Sequence, residues 1–127
     1  MLLHDSVGEN TAASAASVLE RLQARLAPLI GSAGMRVLFT RAVRLTGREF
    51  AALAPLRTAM LDENVLAAEA LAESLSRLDG ALARAAATAL YKNFLELTSS
   101  LIGERLVLLV LQRAFPNIDV TAKQESE

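Results

Sequence analysis

The sequence predicts an all-α protein, a compact bundle of about five helices. Hydrophobic residues make up 53% of the 127-residue chain, and alanine and leucine, two of the best helix formers, dominate them. Aromatic residues reach only 4% and β-branched residues are few, although strands favour both types. Leucines recur every three or four residues between segments that contain proline or glycine.

The length fits one domain. We expect a single helical domain over residues 11–116. Residues 1–10 mix polar residues with a glycine and show no helical period, which predicts a flexible N-terminal arm. Residues 117–127 are expected to form a polar C-terminal tail.

The first two predicted helices flank a joint that is rich in proline and glycine. Apolar residues at helical spacing predict one helix over residues 11–27. Pro28 is expected to end this helix, because its ring clashes with the preceding turn. A second apolar face predicts a helix over residues 32–46, and Gly47 provides its stop signal.

The middle of the chain predicts one short turn and a third helix. Residues 48–57 form at most a turn of helix, since Pro55 interrupts the segment or starts the next one. A leucine stripe then predicts a helix over residues 62–78. Asp62 is its expected N-cap residue, and the Asp-Gly pair at 79–80 is expected to end it.

The last two helices are predicted over residues 81–101 and 104–114. Gly103 lies between them, and the sequence leaves open whether it separates two helices or only kinks one long helix. The last helix contains six consecutive apolar residues, which cannot all share one face at 3.6 residues per turn. We therefore expect it to be the central helix of the bundle, with Leu108 and Leu109 buried.

Two segments of the chain read alike, "LIGSAGMRVLFTRA" at 29–42 and "LIGERLVLLVLQRA" at 101–114. Both begin with Leu-Ile-Gly and end with Arg-Ala. Two similar helix–joint–helix units that arose by duplication are one explanation. The interpretation that we favour needs no duplication: in both places a helix ends, a glycine relieves the backbone, and a second helix begins.

The charge and the cysteine content of the chain argue against several classes of function. The net charge of −1 gives no bulk field that would attract nucleic acid or an anionic membrane. No apolar run approaches the roughly 18 residues of a membrane span. The chain has no cysteine, which removes disulfides and thiolate chemistry and fits a reducing compartment. With no signal-peptide pattern at its start, we expect a cytoplasmic protein.

The residue patterns of catalytic and metal sites are missing from the sequence. His4 is the single histidine, so neither His-x-x-x-His nor Glu-x-x-His occurs, and a serine nucleophile has no well-placed base. The Gly-x-Ser-x-Gly pattern of a nucleophile turn is also missing. We expect no enzyme activity, no catalytic or metal-binding residue and no cofactor.

One candidate ligand contact lies in "GSAGMR". Gly31, Ser32 and Gly34 precede a helix whose free backbone N–H groups could meet an anion, with Arg36 assisting. However, the segment lacks the Gly-x-x-x-x-Gly-Lys pattern, and no strand is predicted before it. A tight turn between two helices is the interpretation that we favour.

Arginines are concentrated in one part of the chain and acidic residues in the next. Residues 21–57 contain seven arginines and one glutamate, whereas residues 58–79 contain five acidic residues and one arginine. Arg41, Arg44 and Arg48 share one face of the second predicted helix. We expect them to pair with the acidic third helix within the molecule. The alternative is a basic stripe for a phosphate-bearing or acidic partner, although without interleaved aromatic residues single-stranded nucleic acid is not expected.

Arg41 and Arg113 end the two similar segments. Both are expected near the C-terminal end of a helix, where a cation meets the negative end of the helix dipole. The alternatives are a buried pair with Glu73, Glu96 or Glu104, or a place in an interface.

The segments "LAPLIGSAGMRVLFTRAVRL" and "LIGERLVLLVLQRAFP" resemble parts of small, all-helical, uncharacterised bacterial proteins. Those proteins typically have a glycine-rich joint, then an Arg-Ala helix, and a last helix that starts with Leu-Ile-Gly-Glu. The resemblance covers about half of the chain, residues 26–46 and 101–116. It implies an all-helical bacterial protein and brings no activity and no functional residue.

Two functions remain. We favour a non-catalytic interaction or regulatory module that acts as a homodimer or as a subunit of a complex. A bundle of this size has a limited interior, and surplus apolar surface usually marks an interface. The alternative is a small-molecule binder with an apolar pocket between helices, lined by Phe39, Phe94, Tyr91 and Met35.

Overall fold

The computed structural model describes the backbone of residues 2–116 and the side chains of residues 11–116. Helix is the only regular structure in this part of the chain, which confirms the predicted all-α bundle. The elements, in chain order, are α1 (Leu2–Gly47), a 3-10 turn (Ala51–Leu53), α2 (Ala54–Ala59), α3 (Ala67–Ser76), α4 (Gly80–Ile102) and α5 (Glu104–Ala114). Because α1 packs against all the others, the bundle is assembled around it. The predicted polar tail, residues 117–127, lies outside the described residues.

The N-terminal segment differs from the predicted arm. α1 begins at Leu2, so the backbone of residues 2–10 is helical. A glycine such as Gly8 costs only about 1 kcal/mol inside a helix. Adding residues to an existing helix needs no new nucleus, which explains how a segment without an apolar period can continue α1.

α1 is broken at Gly31, where φ is 82° and ψ is 155°. The break divides α1 into an N-terminal part, residues 2–30, and a C-terminal part, residues 32–47. Only glycine adopts these angles without strain, because it has no Cβ. The predicted joint is therefore present, but the helix continues past Pro28, which lies inside it and does not end it.

α3 begins at Ala67, five residues later than predicted, and Asp62 is not its N-cap residue. The Asp62 Oδ1 atom instead accepts a hydrogen bond from the backbone N–H of Asn64, at 2.9 Å. A short carboxylate that binds the backbone just after it favours a turn over a helix. Asp79 caps α4, where its Oδ1 atom accepts a hydrogen bond from the backbone N–H of Leu82 at 2.8 Å.

The core lies mainly between α1, α3 and α4. Its largest fully buried side chains are Phe39, Phe94, Leu19, Leu22, Leu26, Leu53, Leu56, Leu71, Leu75 and Leu90. Phe39 and Phe94 meet edge to face, with ring centroids 6.2 Å apart. The buried Thr46 hydroxyl donates to the Ala42 carbonyl oxygen at 2.7 Å and accepts from Asn93 Nδ2 at 2.9 Å. The polar atoms of this threonine are thus satisfied inside the core.

α5 is not the central helix, so that prediction is wrong. It buries Val107, Val110 and Ala114 against α1 and α4. Leu109 is 42% exposed and Leu108 is half-buried. An apolar helix is buried on all sides only where neighbours surround it, and the described chain places none against its outer face.

Gly103 separates α4 from α5, which answers the question that the sequence leaves open. Its φ of 97° and ψ of 147° are close to the angles of Gly31. The segments 29–42 and 101–114 also share their pattern of exposure. Equivalent buried pairs are Met35 and Val107, Leu38 and Val110, and Ala42 and Ala114; equivalent exposed pairs are Leu29 and Leu101, Val37 and Leu109, and Arg41 and Arg113. The two similar sequences therefore form the same kind of helix–joint–helix element.

Candidate functional site

Arg36 fastens the loop between α2 and α3 to α1. Its Nη1 atom donates a hydrogen bond to the Val65 carbonyl oxygen at 2.9 Å. Its Nη2 atom donates to the carbonyl oxygens of Asp62 at 2.6 Å and Met60 at 3.4 Å. These carbonyls lie between two helices. The Asp62 carbonyl oxygen also accepts a backbone hydrogen bond from the Val65 N–H at 3.1 Å, and Arg36 adds a donor from a part of the chain that is distant in sequence.

The rest of the "GSAGMR" segment forms the joint. Gly31 carries the break in α1, Ser32 is exposed and Gly34 is half-buried. The Arg36 guanidinium group is engaged with the loop carbonyls, which is a structural task, and the anion contact stays a prediction. The interpretation of this segment as a turn between two helices is the one that the geometry favours.

The arginine face of α1 is exposed. Arg41 and Arg44 line an open groove of about 430 Å³ together with Arg36, Val37 and Glu63. Arg48, farther along the chain, is exposed as well.

These arginines form no ion pair with any side chain that the structure describes. The one ion pair in residues 11–116 joins Arg77 Nη2 to Glu73 Oε1 at 2.8 Å. Both of its side chains are largely exposed, so it contributes little to stability. The prediction that Arg41, Arg44 and Arg48 pair with the acidic helix is therefore wrong.

Arg41 and Arg113 are both exposed, and neither belongs to a buried ion pair with Glu73, Glu96 or Glu104. Arg113 lies in the last turn of α5, as predicted. Arg41 lies too far from the end of α1, so Arg44 is the basic residue of its last turn instead.

One exposed apolar surface lies between the N-terminal part of α1 and α5. Leu29, Leu106 and Leu109 line a shallow groove of about 270 Å³ whose charged residues are Arg25 and Arg113. Leu29 is 49% exposed. None of the described side chains that line this groove is acidic. We call these five residues the arginine-flanked patch.

The loop before α3 exposes two leucines. Leu61 is 74% exposed and Leu66 is 61% exposed. Asp62, Glu63 and Glu69 are exposed within three residues of one or the other leucine. We call these five residues the acid-flanked leucines.

The predicted aromatic pocket does not exist as such. Phe39, Phe94 and Met35 are buried in the core, where the two rings pack against each other. Of the four predicted lining residues, only Tyr91 borders an open space.

That space is an apolar groove of about 470 Å³ between the N-terminal part of α1, α4 and the end of α5. The Tyr91 hydroxyl donates a hydrogen bond to the Ala15 carbonyl oxygen. Burial raises the pKa of Tyr91 well above its ordinary value, so the hydroxyl keeps its proton and this bond. The signal that could have located the groove is the pair of alanines at 15 and 87, which are small and buried in its floor.

Among the described residues, no group of three or more His, Cys, Asp or Glu side chains is placed to hold a metal ion. None of the described helices combines the length and the apolar character needed to cross a membrane. The His4 side chain lies outside the described part.

The chain matches no model of a known protein family, no curated protein and no solved structure. The similarity to small bacterial helical proteins therefore stays a prediction.

Proposed function

We propose that this protein is a non-catalytic interaction module that assembles with further copies of itself. In the proposed contact, the arginine-flanked patch of one copy binds the acid-flanked leucines of the next. One observation carries the proposal: arginines and carboxylates that lie beside exposed leucines form no ion pairs with each other inside the described molecule.

Apolar burial supplies the main driving force of this contact. Leu29 and Leu109 on one side, and Leu61 and Leu66 on the other, are exposed in the single chain. Removing apolar surface from water is worth about 25 cal/mol per Å². Exposed leucines grouped on a small domain are typical of a surface that is covered by a partner.

Charge selects the partner surface. The arginine-flanked patch contains two cations and no acid, so a second copy of the same patch would bring like charges together. The acid-flanked leucines offer Asp62 and Glu69, which form no ion pair with described residues. Opposite charges at the rim of a contact add little affinity but favour the correct partner and speed the encounter.

The proposed contact joins two different surfaces, so it is heterologous. Each copy has one of each surface, and repetition of the contact gives a closed ring or an open chain. Because the charged residues lie at the surface, the assembly should weaken as the salt concentration rises.

Light scattering at micromolar protein concentration and low salt tests the proposal. The wild-type protein should have a mass above the 13.5 kDa of one chain. Leu109→Ser and Leu66→Ser should each reduce the mass to that of the single chain. Leu101→Ser is the matched control, since Leu101 is 60% exposed but belongs to neither surface, and it should leave the mass unchanged.

Two outcomes would contradict the proposal. If the wild-type protein is monomeric over the whole concentration range, self-association is contradicted. Assembly that is lost in Leu109→Ser but kept in Leu66→Ser would show that the patch binds another patch. Circular dichroism of each variant checks that its helices are intact.

The proposal extends to a cytoplasmic protein of bacterial origin. The lack of cysteine in the sequence and its similarity to small bacterial helical proteins support this placement. Fractionation of the cells that produce it, followed by immunoblotting, should find it with cytoplasmic markers; recovery with the membrane or secreted fraction would contradict the placement.

A further inference from the structure

We infer that the apolar groove between α1, α4 and α5 binds a single-chain amphiphile with an anionic head, a fatty acid in the simplest case. The carboxylate of the ligand would lie at Arg84 and its alkyl chain along the groove. This site is separate from the two surfaces of the proposed contact, and the inference does not depend on that contact.

One wall of the groove is a stripe along α4 formed by Arg84, Thr88, Tyr91 and Leu95. Their spacing of four, three and four residues places them on one face of the helix. At 1.5 Å per residue the stripe is about 16 Å long. It begins with a cation and ends with a leucine, which is the polarity of an amphiphile.

The floor of the groove is apolar and tightly built. Ala15, Leu22, Ala87 and Phe115 line it and are all buried. The two alanines leave space that larger side chains would fill. The volume of about 470 Å³ falls within the range of small-molecule sites, roughly 300–1,000 Å³.

Phe115 is held in place from its outer side. The Arg21 guanidinium carbon lies 5.6 Å from the centroid of the Phe115 ring, a cation–π geometry. The part of the floor next to the end of α5 is therefore supported by α1.

The charge of the groove selects an anion. Among the described side chains that line it, Arg84 is the single charged one and none is acidic. Arg84 forms no ion pair with any described side chain, although Glu49 borders a neighbouring pocket with it. The Tyr91 hydroxyl is already bound to Ala15. A carboxylate that reaches Arg84 would gain a charge-assisted hydrogen bond, while the alkyl chain covers the apolar floor.

The chain carries its own probe for this site. Tyr91 is the single tyrosine and there is no tryptophan, so the intrinsic fluorescence of the protein reports on the groove. Titration with dodecanoate, kept below its micelle-forming concentration, should change the tyrosine emission in a saturable way. The titration uses the full-length protein and the same chain with substitutions.

Two kinds of variant separate the head from the alkyl chain. Arg84→Gln should weaken dodecanoate binding about fivefold, the loss of one exposed ion pair, and leave the affinity for dodecanol unchanged. Arg84→Lys should keep most of the dodecanoate affinity. Arg105→Gln removes an equally exposed charge outside the groove and is the matched control.

Val18→Asp, which places a carboxylate in the α1 wall, should weaken both ligands at least about tenfold. Leu95→Asp does the same from α4 and serves as a second test if Val18→Asp fails to fold. The Leu109→Ser variant of the proposed contact should bind dodecanoate like the wild type, which keeps the two proposals distinguishable.

Four results would overturn the inference. The first is a tyrosine emission that shows no saturable change with dodecanoate, and the second is equal dodecanoate affinity of the wild type and the folded aspartate variant. The third is an equal effect of Arg84→Gln and Arg105→Gln on dodecanoate binding, and the fourth is a tyrosine emission that depends on protein concentration without ligand. The last would assign the groove to a second copy of the chain.

Discussion

The two glycine joints have the same backbone but lead to helices in very different surroundings. Gly31 and Gly103 differ by only 15° in φ and 8° in ψ (82° and 97°, 155° and 147°). In the helix after Gly31, Phe39 is fully buried and its ring meets the Phe94 ring of α4. The helix after Gly103 lies at the edge of the bundle, and the equivalent residue, Leu111, is only half-buried.

This difference separates the feature that local sequence determines, the joint, from the feature that it does not, the burial of the helix that follows. A glycine at a positive φ sets the joint, and the same local sequence produces it twice. The depth of burial depends on which other helices reach the segment, which local sequence does not encode. The following predictions test how far the two units are equivalent.

The largest expected difference between the units is at the position of Phe39. Phe39→Ala should destabilise the protein by about 3–5 kcal/mol, because it leaves a cavity beside Phe94 in the core. Leu111→Ala should cost less than about 2 kcal/mol, because part of its side chain already contacts water. Urea unfolding followed by circular dichroism measures both; equal losses would show that α5 is packed as tightly as α1.

The joints themselves should respond alike. Gly31→Ala and Gly103→Ala should each cost about 1–3 kcal/mol of unfolding free energy, because their backbone angles are accessible essentially only to glycine. Apart from the two neighbouring residues in the chain, nothing lies within 4 Å of a Cβ added at either position, so the loss would be backbone strain and not a clash. Gly47→Ala, with an ordinary φ and open space, is the control and should be neutral or slightly stabilising. A loss of stability in only one of the two alanine variants would show that the two joints are not equivalent.

Arg36 marks a point where the units differ, since the equivalent residue in α5 is Leu108. Arg36→Met should cost about 1–3 kcal/mol, because the Val65 carbonyl oxygen loses its side-chain donor and the loop loses its hydrogen bonds to α1. Hydrogen exchange of residues 60–65 should also become faster than in the wild type. Arg41→Met, an exposed arginine without a partner in the described part, should change stability by less than about 0.5 kcal/mol. Unchanged exchange in the loop would contradict the role given to Arg36.

The smallest effect is expected at the outer face of α5. Leu109→Ala should cost less than about 1 kcal/mol when stability is measured at a dilution where the chain is monomeric, because 42% of the side chain is already exposed. A loss of about 2–5 kcal/mol, typical of a buried leucine, would mean that α5 is covered in the single chain.

Much of the fold could be predicted from local signals. Leucine spacing and the alanine content indicate the helices, and the bounds of α5 follow from Gly103 and Pro116. The start of α3 was missed because Asp62 suits both a helix N-cap and a turn, and the choice depends on Arg36, a residue distant in sequence. Local patterns carry no information on such a long-range contact.

The candidate surfaces could be predicted only in part. The apolar excess indicates that some leucines are exposed, but not that Leu29 and Leu109 come together across two helices. The uneven distribution of charge suggests intramolecular pairs, and only the three-dimensional arrangement shows that they are not formed. The aromatic residues suggest a pocket, yet Phe39 and Phe94 fill the space between their own helices.

Mixing two defective variants tests the proposed contact most directly. Leu109→Ser keeps the acid-flanked leucines, and Leu66→Ser keeps the arginine-flanked patch, so each should be monomeric alone. In an equimolar mixture, the intact patch of one variant can bind the intact leucines of the other, and no further copy can be added. Light scattering of the mixture should therefore give twice the mass of one chain. A mixture that keeps the mass of a single chain would contradict the heterologous contact.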